Sequence, residues 1–334
     1  MSSELFSQRL RRSVRTPEGR FTLVFVLAIV GIIVVFFVTV LLIDPYGDFE
    51  TGVIAPIVLK DRTVKTDLLA ADEGVDVLIF GSSIAFGLDP RFISDDAFNL
   101  SVGGAYPNDH YALLRYAVEE LNVQPEKIIL AISPASFVNQ RHPDISTNPR
   151  LRKYVMDDSD SSARDFNPVW IFLKKFNSDY VRDMYRSVYN QVFKGVAPTY
   201  SFDDRGFMEV PTSTHDVTYV PDNYDRMFAF FDGVEVPNER YVRYFDKTLA
   251  YASEHEIAVD VIILPIHPLT QEQLRIDTSY DAFGTAFRVM LGERNVVVHD
   301  LSDVVLFDGL PTGFVDADHL DAQNNTRLMK YLFN

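Results

Sequence analysis

From residue 21 to residue 43 the chain reads FTLVFVLAIVGIIVVFFVTVLLI, with neither a charge nor a proline. A helix of that length rises about 34 Å, enough to cross a hydrocarbon core of roughly 30 Å. A cleaved signal peptide has a shorter apolar region, about 7–15 residues, ending in a small-x-small site. Here Leu41-Leu42-Ile43-Asp44-Pro45-Tyr46 closes the run without a small-residue pair, so the pattern predicts an uncleaved transmembrane helix over 21–43.

Past a linker and pre-domain segment at 44–73 the pattern changes. The apolar run Val75-Asp76-Val77-Leu78-Ile79-Phe80 closes on Gly81-Ser82-Ser83, and short apolar runs recur at 97–100, 127–132, 258–264 and 296–298. Helical spacing lies between several of them, at 109–121 and 238–253. Strands alternating with helices predict an α/β fold with a parallel sheet covered on both faces, a three-layer α/β/α sandwich. The rhythm breaks over 141–237, which reads as an insertion in the 74–334 domain, covering the functional edge of the sheet. It opens on the polar run 157–162. Then Phe166, Trp170, Leu173, Phe176, Tyr180, Met184, Val188 and Val192 recur at spacings of three and four, a helix whose stripe reads as a packing face. Residues 200–237 are rich in Asp, Tyr, Phe and Pro and have no clear period.

Charge orients this arrangement. Arg9, Arg11, Arg12, Arg15 and Arg20 face only Glu4 and Glu18 in the segment before the apolar run. The positive-inside rule therefore keeps the basic N-terminus, 1–20, cytoplasmic and exports the chain beyond the helix. The whole chain of 334 residues has 31 Lys+Arg against 47 Asp+Glu, a net charge of −16. Without those five arginines and two glutamates, 26 basic and 45 acidic residues remain, a net charge of −19. Such a surface is repelled by nucleic acid and by anionic lipid alike. The absence of cysteine excludes disulfides, cysteine nucleophiles and thiolate metal sites.

Candidate chemistry begins at the end of the first predicted strand, Phe80-Gly81-Ser82-Ser83-Ile84-Ala85-Phe86-Gly87. With no lysine after it and no G-x-G-x-x-G, a nucleotide site is poorly supported. Alone, the block is balanced between a tight turn and a nucleophilic serine presented where backbone N–H groups also meet an oxyanion. Phe314-Val315-Asp316-Ala317-Asp318-His319-Leu320 shifts the balance, because a serine needs a base and the base needs a carboxylate. Calcium on Asp316, Asp318 and Asp321 fits poorly, since the EF-hand spacing is broken by Leu320 and lacks its glycine, and no second histidine stands at zinc-ligand spacing. A lone histidine usually caps or packs; combined with Ser83 the catalytic reading is stronger.

These blocks resemble the SGNH (GDSL-like) hydrolases. Ser83 matches the family's nucleophile, with Ser82 in place of the usual Asp, and Asp316 and His319 match its D-x-x-H block. Asn99-Leu100-Ser101-Val102-Gly103-Gly104 is similar to the second block, which makes Gly104 the matching oxyanion glycine. The third block departs: Ala131-Ile132-Ser133-Pro134-Ala135-Ser136 stands where the family has G-x-N-D, leaving Ser133 or Ser136 as the substitute donor. Losing one such donor costs roughly 10²–10³ in rate. The GSS block and the N-terminal anchor are similar to a membrane-anchored branch that includes DltD and the alginate O-acetylation proteins, extracytoplasmic partners of membrane-bound O-acyltransferases. Ile263-Leu264-Pro265-Ile266-His267-Pro268 adds His267 as a substrate-binding candidate beside a plain turn role. Arg62-Thr63-Val64-Lys65 looks like a signature without a derivable role.

The resemblance implies a single-pass protein of the cell (inner) membrane with an exported, periplasmic serine acyltransferase or esterase domain. It would act on O-acyl, above all O-acetyl, groups of a cell-surface polysaccharide. Ser83, His319 and Asp316 would form the triad, the N–H groups of Ser83 and Gly104 would hold the oxyanion, and neither cofactor nor metal is implied. The alternatives are a glycan or lipid esterase of the same fold, or a non-catalytic scaffold for a membrane-bound O-acyltransferase.

Overall fold

The structure is a computed structural model that describes residues 16–45, 53–54, 60–138, 148, 150–155, 178–195, 201–215 and 224–333. In chain order the first elements are α1 (Pro17–Ile43), α2 (Asp61–Ala71), β1 (Val77–Gly81), β2 (Ala97–Asn99), α3 (Pro107–Glu119) and β3 (Lys127–Ile132). After them come α4 (Ser178–Val188), α5 (Tyr224–Phe231), α6 (Glu239–Glu254), β4 (Ala258–Ile263), α7 (Pro268–Asp277), α8 (Tyr280–Gly292), β5 (Val297–Asp300) and α9 (Ala322–Phe333). The chain divides into two compact units, one made of Met1–Lys60 with Pro168–Thr199 and the other of Asp61–Asn167 with Tyr200–Asn334.

In the first unit, α1 starts where the Thr16 hydroxyl accepts the Gly19 N–H at 3.1 Å and Pro17 fixes the first turn. Its 27 residues are long and apolar enough to cross a membrane, and nearly all of its large side chains are exposed. An exposed apolar helix suits lipid and not water. Its last turn is packed: Val40 and Ile43 meet Tyr180 and Met184 of α4. The predicted aromatic stripe thus packs at Tyr180 and Met184, while Val188 is half-buried and Val192 is exposed and leaves the packing face; its part from Phe166 to Phe176 lies outside the described residues.

The second unit is an α/β fold with a parallel sheet flanked by helices. Five parallel strands lie in the order β2-β1-β3-β4-β5. Successive residues of a strand point to opposite faces, and the core divides accordingly. Leu78, Phe80, Ile128, Leu130, Val261 and Ile263 pack with Leu113, Phe245, Phe283 and Phe287, which belong to α3, α6 and α8. Val77, Ile79, Ile129, Ala131 and Ile262 pack with Phe307 and with Leu328 and Met329 of α9. Burial on both faces explains why β1 and β3 read as continuous apolar runs.

A strand end and a linker differ from the sequence expectation for physical reasons. β5 runs past 298 to Asp300 because it is an edge strand, with Val297 and Val298 exposed and no apolar run to mark its end. Inside the predicted linker, α2 is a packed helix, and what it buries is polar: Asp61, Lys65 and Thr66 together with Leu69.

Candidate active site

β1 delivers its last residue, Gly81, between two close neighbours. A Cβ there would stand 2.5 Å from the Ala85 Cβ and 2.7 Å from the Ala131 carbonyl oxygen. Only glycine lets the chain turn so close beside β3. Ser82 is extended, and Ser83 begins a single tight turn, Ser83–Ala85. The Ser83 Oγ lies 2.8 Å from His319 Nε2.

His319 comes from a loop folded onto itself before α9. The Asp316 Oδ1 accepts the N–H groups of Asp318 and His319, each at 3.0 Å. The Val315 N–H donates to the His319 carbonyl at 2.8 Å, and Phe314 and Leu320 form an antiparallel bridge. The same Asp316 carboxylate takes the His319 ring, with Nδ1 at 2.8 and 3.0 Å from its two oxygens. One carboxylate therefore shapes the loop and aims the imidazole. Burial alone would raise the Asp316 carboxyl, but the hydrogen bond and charge of His319 and the two backbone N–H groups hold it well below the ordinary carboxylate range. Burial likewise disfavours the imidazolium, and Asp316 and Asp318 outweigh it, holding His319 above the ordinary histidine value.

The second predicted oxyanion residue sits on the turn after β2, the strand next to β1. Gly104 has φ +60°, the left-handed region open to glycine. The turn is anchored by the Val102 N–H on the Gly81 carbonyl at 3.0 Å and by the Gly103 N–H on Asp61 Oδ2 at 2.9 Å. Among the described residues, no hydrogen bond uses the N–H of Ser83 or of Gly104.

The remaining candidates take other places. Ser133 and Ser136 are buried at the end of β3 and bonded to each other, the Ser136 Oγ accepting the Ser133 N–H at 3.5 Å. Neither makes a hydrogen bond to Ser83 or His319. His267 caps α7, its Nδ1 accepting the Leu269 N–H at 3.2 Å, and its ring meets Phe314 edge-on. Its N–H donates to the Ala317 carbonyl at 2.9 Å, inside the loop that carries His319. In this structure His267 therefore braces the histidine loop.

Sequence reasoning missed two side chains. Asp318 Oδ1 lies 3.2 Å from His319 Nδ1, a second carboxylate on the same ring nitrogen. Arg226 of α5 reaches that oxygen at 2.8 Å. Sequence spacing marks Asp318 only as a poor calcium ligand, and Arg226 falls in the stretch without a period. The unassigned quartet at 62–65 also finds its place here. Arg62 Nε donates to Asp109 Oδ1 at 2.7 Å, and Lys65 donates to the carbonyls of Asn99, at 2.7 Å, and of Gly206. Ligand atoms of Asp316, Asp318 and His319 lie within 4.8 Å of one another, as in a small cation site. The same short distances are what an imidazole held between two carboxylates requires.

No protein-family model matches the chain, and no curated protein sequence matches it. Several solved structures are similar in shape. A lipase/acylhydrolase from Enterococcus faecalis is 11% identical with a TM-score of 0.38, over 78% of this chain and 94% of that one. A GDSL-like lipase from Bacteroides thetaiotaomicron is 9% identical with a TM-score of 0.35, over 82% and 95%. A catalytic mutant of an acetylxylan esterase from Geobacillus stearothermophilus is 10% identical with a TM-score of 0.34, over 78% and 92%. Likeness at this level carries no functional argument, and the chemistry has to be read from the site itself.

Proposed function

We propose that the chain is a membrane-anchored serine acyltransferase or esterase of SGNH type, with Ser83 as nucleophile, His319 as general base and Asp316 holding the base. The observation that carries this reading is the line from Ser83 Oγ through Nε2 and Nδ1 of His319 to Asp316, each step at 2.8 Å. Ser83 and His319 are 236 residues apart in sequence, so local folding alone cannot produce it. In the reacting form Nε2 is unprotonated. Ser83 Oγ attacks the ester carbonyl while its proton passes to Nε2, and the N–H groups of Ser83 and Gly104 receive the negative oxygen. The C–O bond of the leaving alcohol breaks and the alcohol takes the proton, which leaves an acyl-serine. A second hydroxyl then gives its proton to His319 and attacks the acyl carbon; the acyl–Oγ bond breaks, and Ser83 Oγ takes that proton back from Nε2. When that hydroxyl belongs to a glycan the reaction is transfer; when it is water, hydrolysis.

A helix able to anchor the domain, with a basic segment before it and an acidic chain after it, supports export across the cell membrane and action on surface material. The O-acyl groups of a cell-surface polysaccharide are the substrate class we propose, with a membrane-bound O-acyltransferase as partner. The test is labelling of the full chain in detergent with a fluorophosphonate, read by intact mass. One adduct is expected on the wild type, none on Ser83→Ala, and strongly slowed labelling on His319→Ala. An undiminished adduct on Ser83→Ala would remove Ser83 from the mechanism.

A further inference from the structure

The first unit holds an apolar surface that the proposed chemistry does not use. α4 continues through a wider turn, Tyr189–Phe193, and divides into three sectors around its axis. Tyr180 and Met184 face the last turn of α1. Val181, Tyr185, Tyr189 and Val192 form a second sector turned away from any core, with Tyr185 68% and Val192 64% exposed. Phe193, 73% exposed, extends it, and the rings of Tyr185, Tyr189 and Phe193 run in a row with centroids 5.9 and 5.8 Å apart. Arg182 and Arg186 occupy the third sector, exposed although both reach Asp183, at 3.5 and 3.7 Å.

In water such a stripe is a liability, because it leaves large apolar groups contiguous and unburied. The contact with α1 fixes its depth. Val40 and Ile43 lie at the end of the apolar run, where a helix that crosses the bilayer leaves the hydrocarbon, so α4 packs at the level of the headgroups. Tyrosine belts and arginines that reach back to the polar layer belong at that level. We infer that α4 is an interfacial helix, lying at the membrane surface with Tyr185, Tyr189, Val192 and Phe193 turned into lipid and Arg182 and Arg186 toward the headgroups. The inference rests on α1 spanning the membrane, and it goes beyond the proposed catalysis by adding a second membrane attachment in sequence before the segment from Tyr200 onward.

The chain has no cysteine, so single nitroxide labels can be placed without a background. Four variants of the full chain are reconstituted in phosphatidylcholine/phosphatidylglycerol vesicles: Tyr185→Cys, Val192→Cys, Arg186→Cys and, at the middle of α1, Gly31→Cys, where an added Cβ meets nothing within 4 Å. Collisions with oxygen, which favours lipid, are compared with collisions with a water-soluble nickel chelate. Labels at 185 and 192 are expected to show several-fold fewer nickel collisions than the label at 186, with the label at 31 deeper than all of them. Equal nickel access at 185, 192 and 186, with 31 still deep, would overturn the interfacial helix and leave the anchor standing. Nickel access at 31 would overturn both. Labels at 185 and 192 that are wet in lipid vesicles and shielded only in native membranes would mean that a protein covers the face, and would also overturn the inference.

Discussion

The second carboxylate on His319 gives the sharpest quantitative test of the proposed chemistry. Asp318 Oδ1 lies 3.2 Å from Nδ1. Two unit charges at that distance, in an effective dielectric of about 20, attract by ~5 kcal/mol. Both side chains keep some contact with water, 24% and 15% exposed, and Arg226 pulls on the same oxygen from 2.8 Å. About 1–3 kcal/mol therefore reaches the imidazolium, or ~1–2 pH units. A base that is held protonated cannot take the Ser83 proton, so the rate should rise with pH through an inflection above the ordinary histidine value of about 6.5. Asp318→Asn removes the attraction and should move that inflection down by ~1–2 units, raising the rate at neutral pH. Arg226→Ala frees Asp318 to act on the ring alone and should move the inflection up. The assay is the second-order rate of fluorophosphonate labelling of the full chain between pH 5 and 10, a range fixed by the inflection expected about 6.5 or above. Opposite shifts from two substitutions in one ion pair cannot come from damaged folding. An inflection that stays put in both variants, or moves the same way in both, would refute the account of how His319 is charged.

Three further outcomes concern groups around the site. Lys65 is fully buried, and burial pushes it down to about 7 against the pull of Asp61 and Asp203; Lys65→Met leaves the carbonyls of Asn99 and Gly206 without their donor and should cost about 1–3 kcal/mol in urea unfolding, so unchanged stability would count against the bracing role. His110 is buried, neither ring nitrogen has a partner, and burial followed by Arg62 pushes it down to about 3. Its folded value lies below the unfolded one, so its contribution is intact above pH ~6.5 and falls by about 1.4 kcal/mol per unit as the pH drops toward 3. His110→Phe should flatten the acid limb of the stability curve, and an identical limb would contradict the burial. If the carboxylate–imidazole cluster works as a proton relay, extensive dialysis against EDTA should leave labelling unchanged; loss of labelling restored by a divalent ion would make Asp316, Asp318 and His319 metal ligands instead.

How much of this is legible in the sequence depends on what holds each part. Strands buried on both faces advertise themselves as apolar runs, and the run 127–132 matches β3 to the residue. Ser83, Asp316 and His319 can be named as candidates because their chemistry restricts residue type and the Asp–His spacing is local. α3 begins two residues earlier than its apolar spacing, since Pro107 sets its first turn and the Asp109 carboxylate reaches back to the Tyr106 N–H at 3.0 Å. The helix α2 escapes pattern reading because its buried face is Asp61, Lys65 and Thr66, residue types that a hydrophobic pattern assigns to solvent. Asp318 and Arg226, 92 residues apart, meet only through the tertiary fold, and no local spacing announces that pair.

The buried polar face of α2 explains how the Ser83 and Gly104 turns, which follow different strands, are held together, as the proposed oxyanion site requires. Asp61 takes the Gly103 N–H, Arg62 ties the same loop to Asp109, and Lys65 fixes the Asn99 carbonyl. Asn99 carries the connection onward. Its amide donates to the carbonyls of Ala85 and Leu88, both at 2.8 Å, on the turn just beyond Ser83. Its Oδ1 accepts the Ser101 N–H at 3.0 Å and the Ser101 hydroxyl, on the way to Gly104. A single side chain thus joins the Ser83 turn to the Gly104 turn, and α2 holds the loop from the outside. Donors fixed before the reaction add no reorganisation cost when charge develops, which is the main advantage such a site has over water. The fold places this rigidity on the serine and glycine side of the proposed centre. The histidine side is held by Asp316, His267 and the Asp318–Arg226 pair, and that pair reaches out to α5. A substrate that displaced Arg226 from Asp318 would therefore change the charge on His319 while leaving the Ser83 and Gly104 turns where they are.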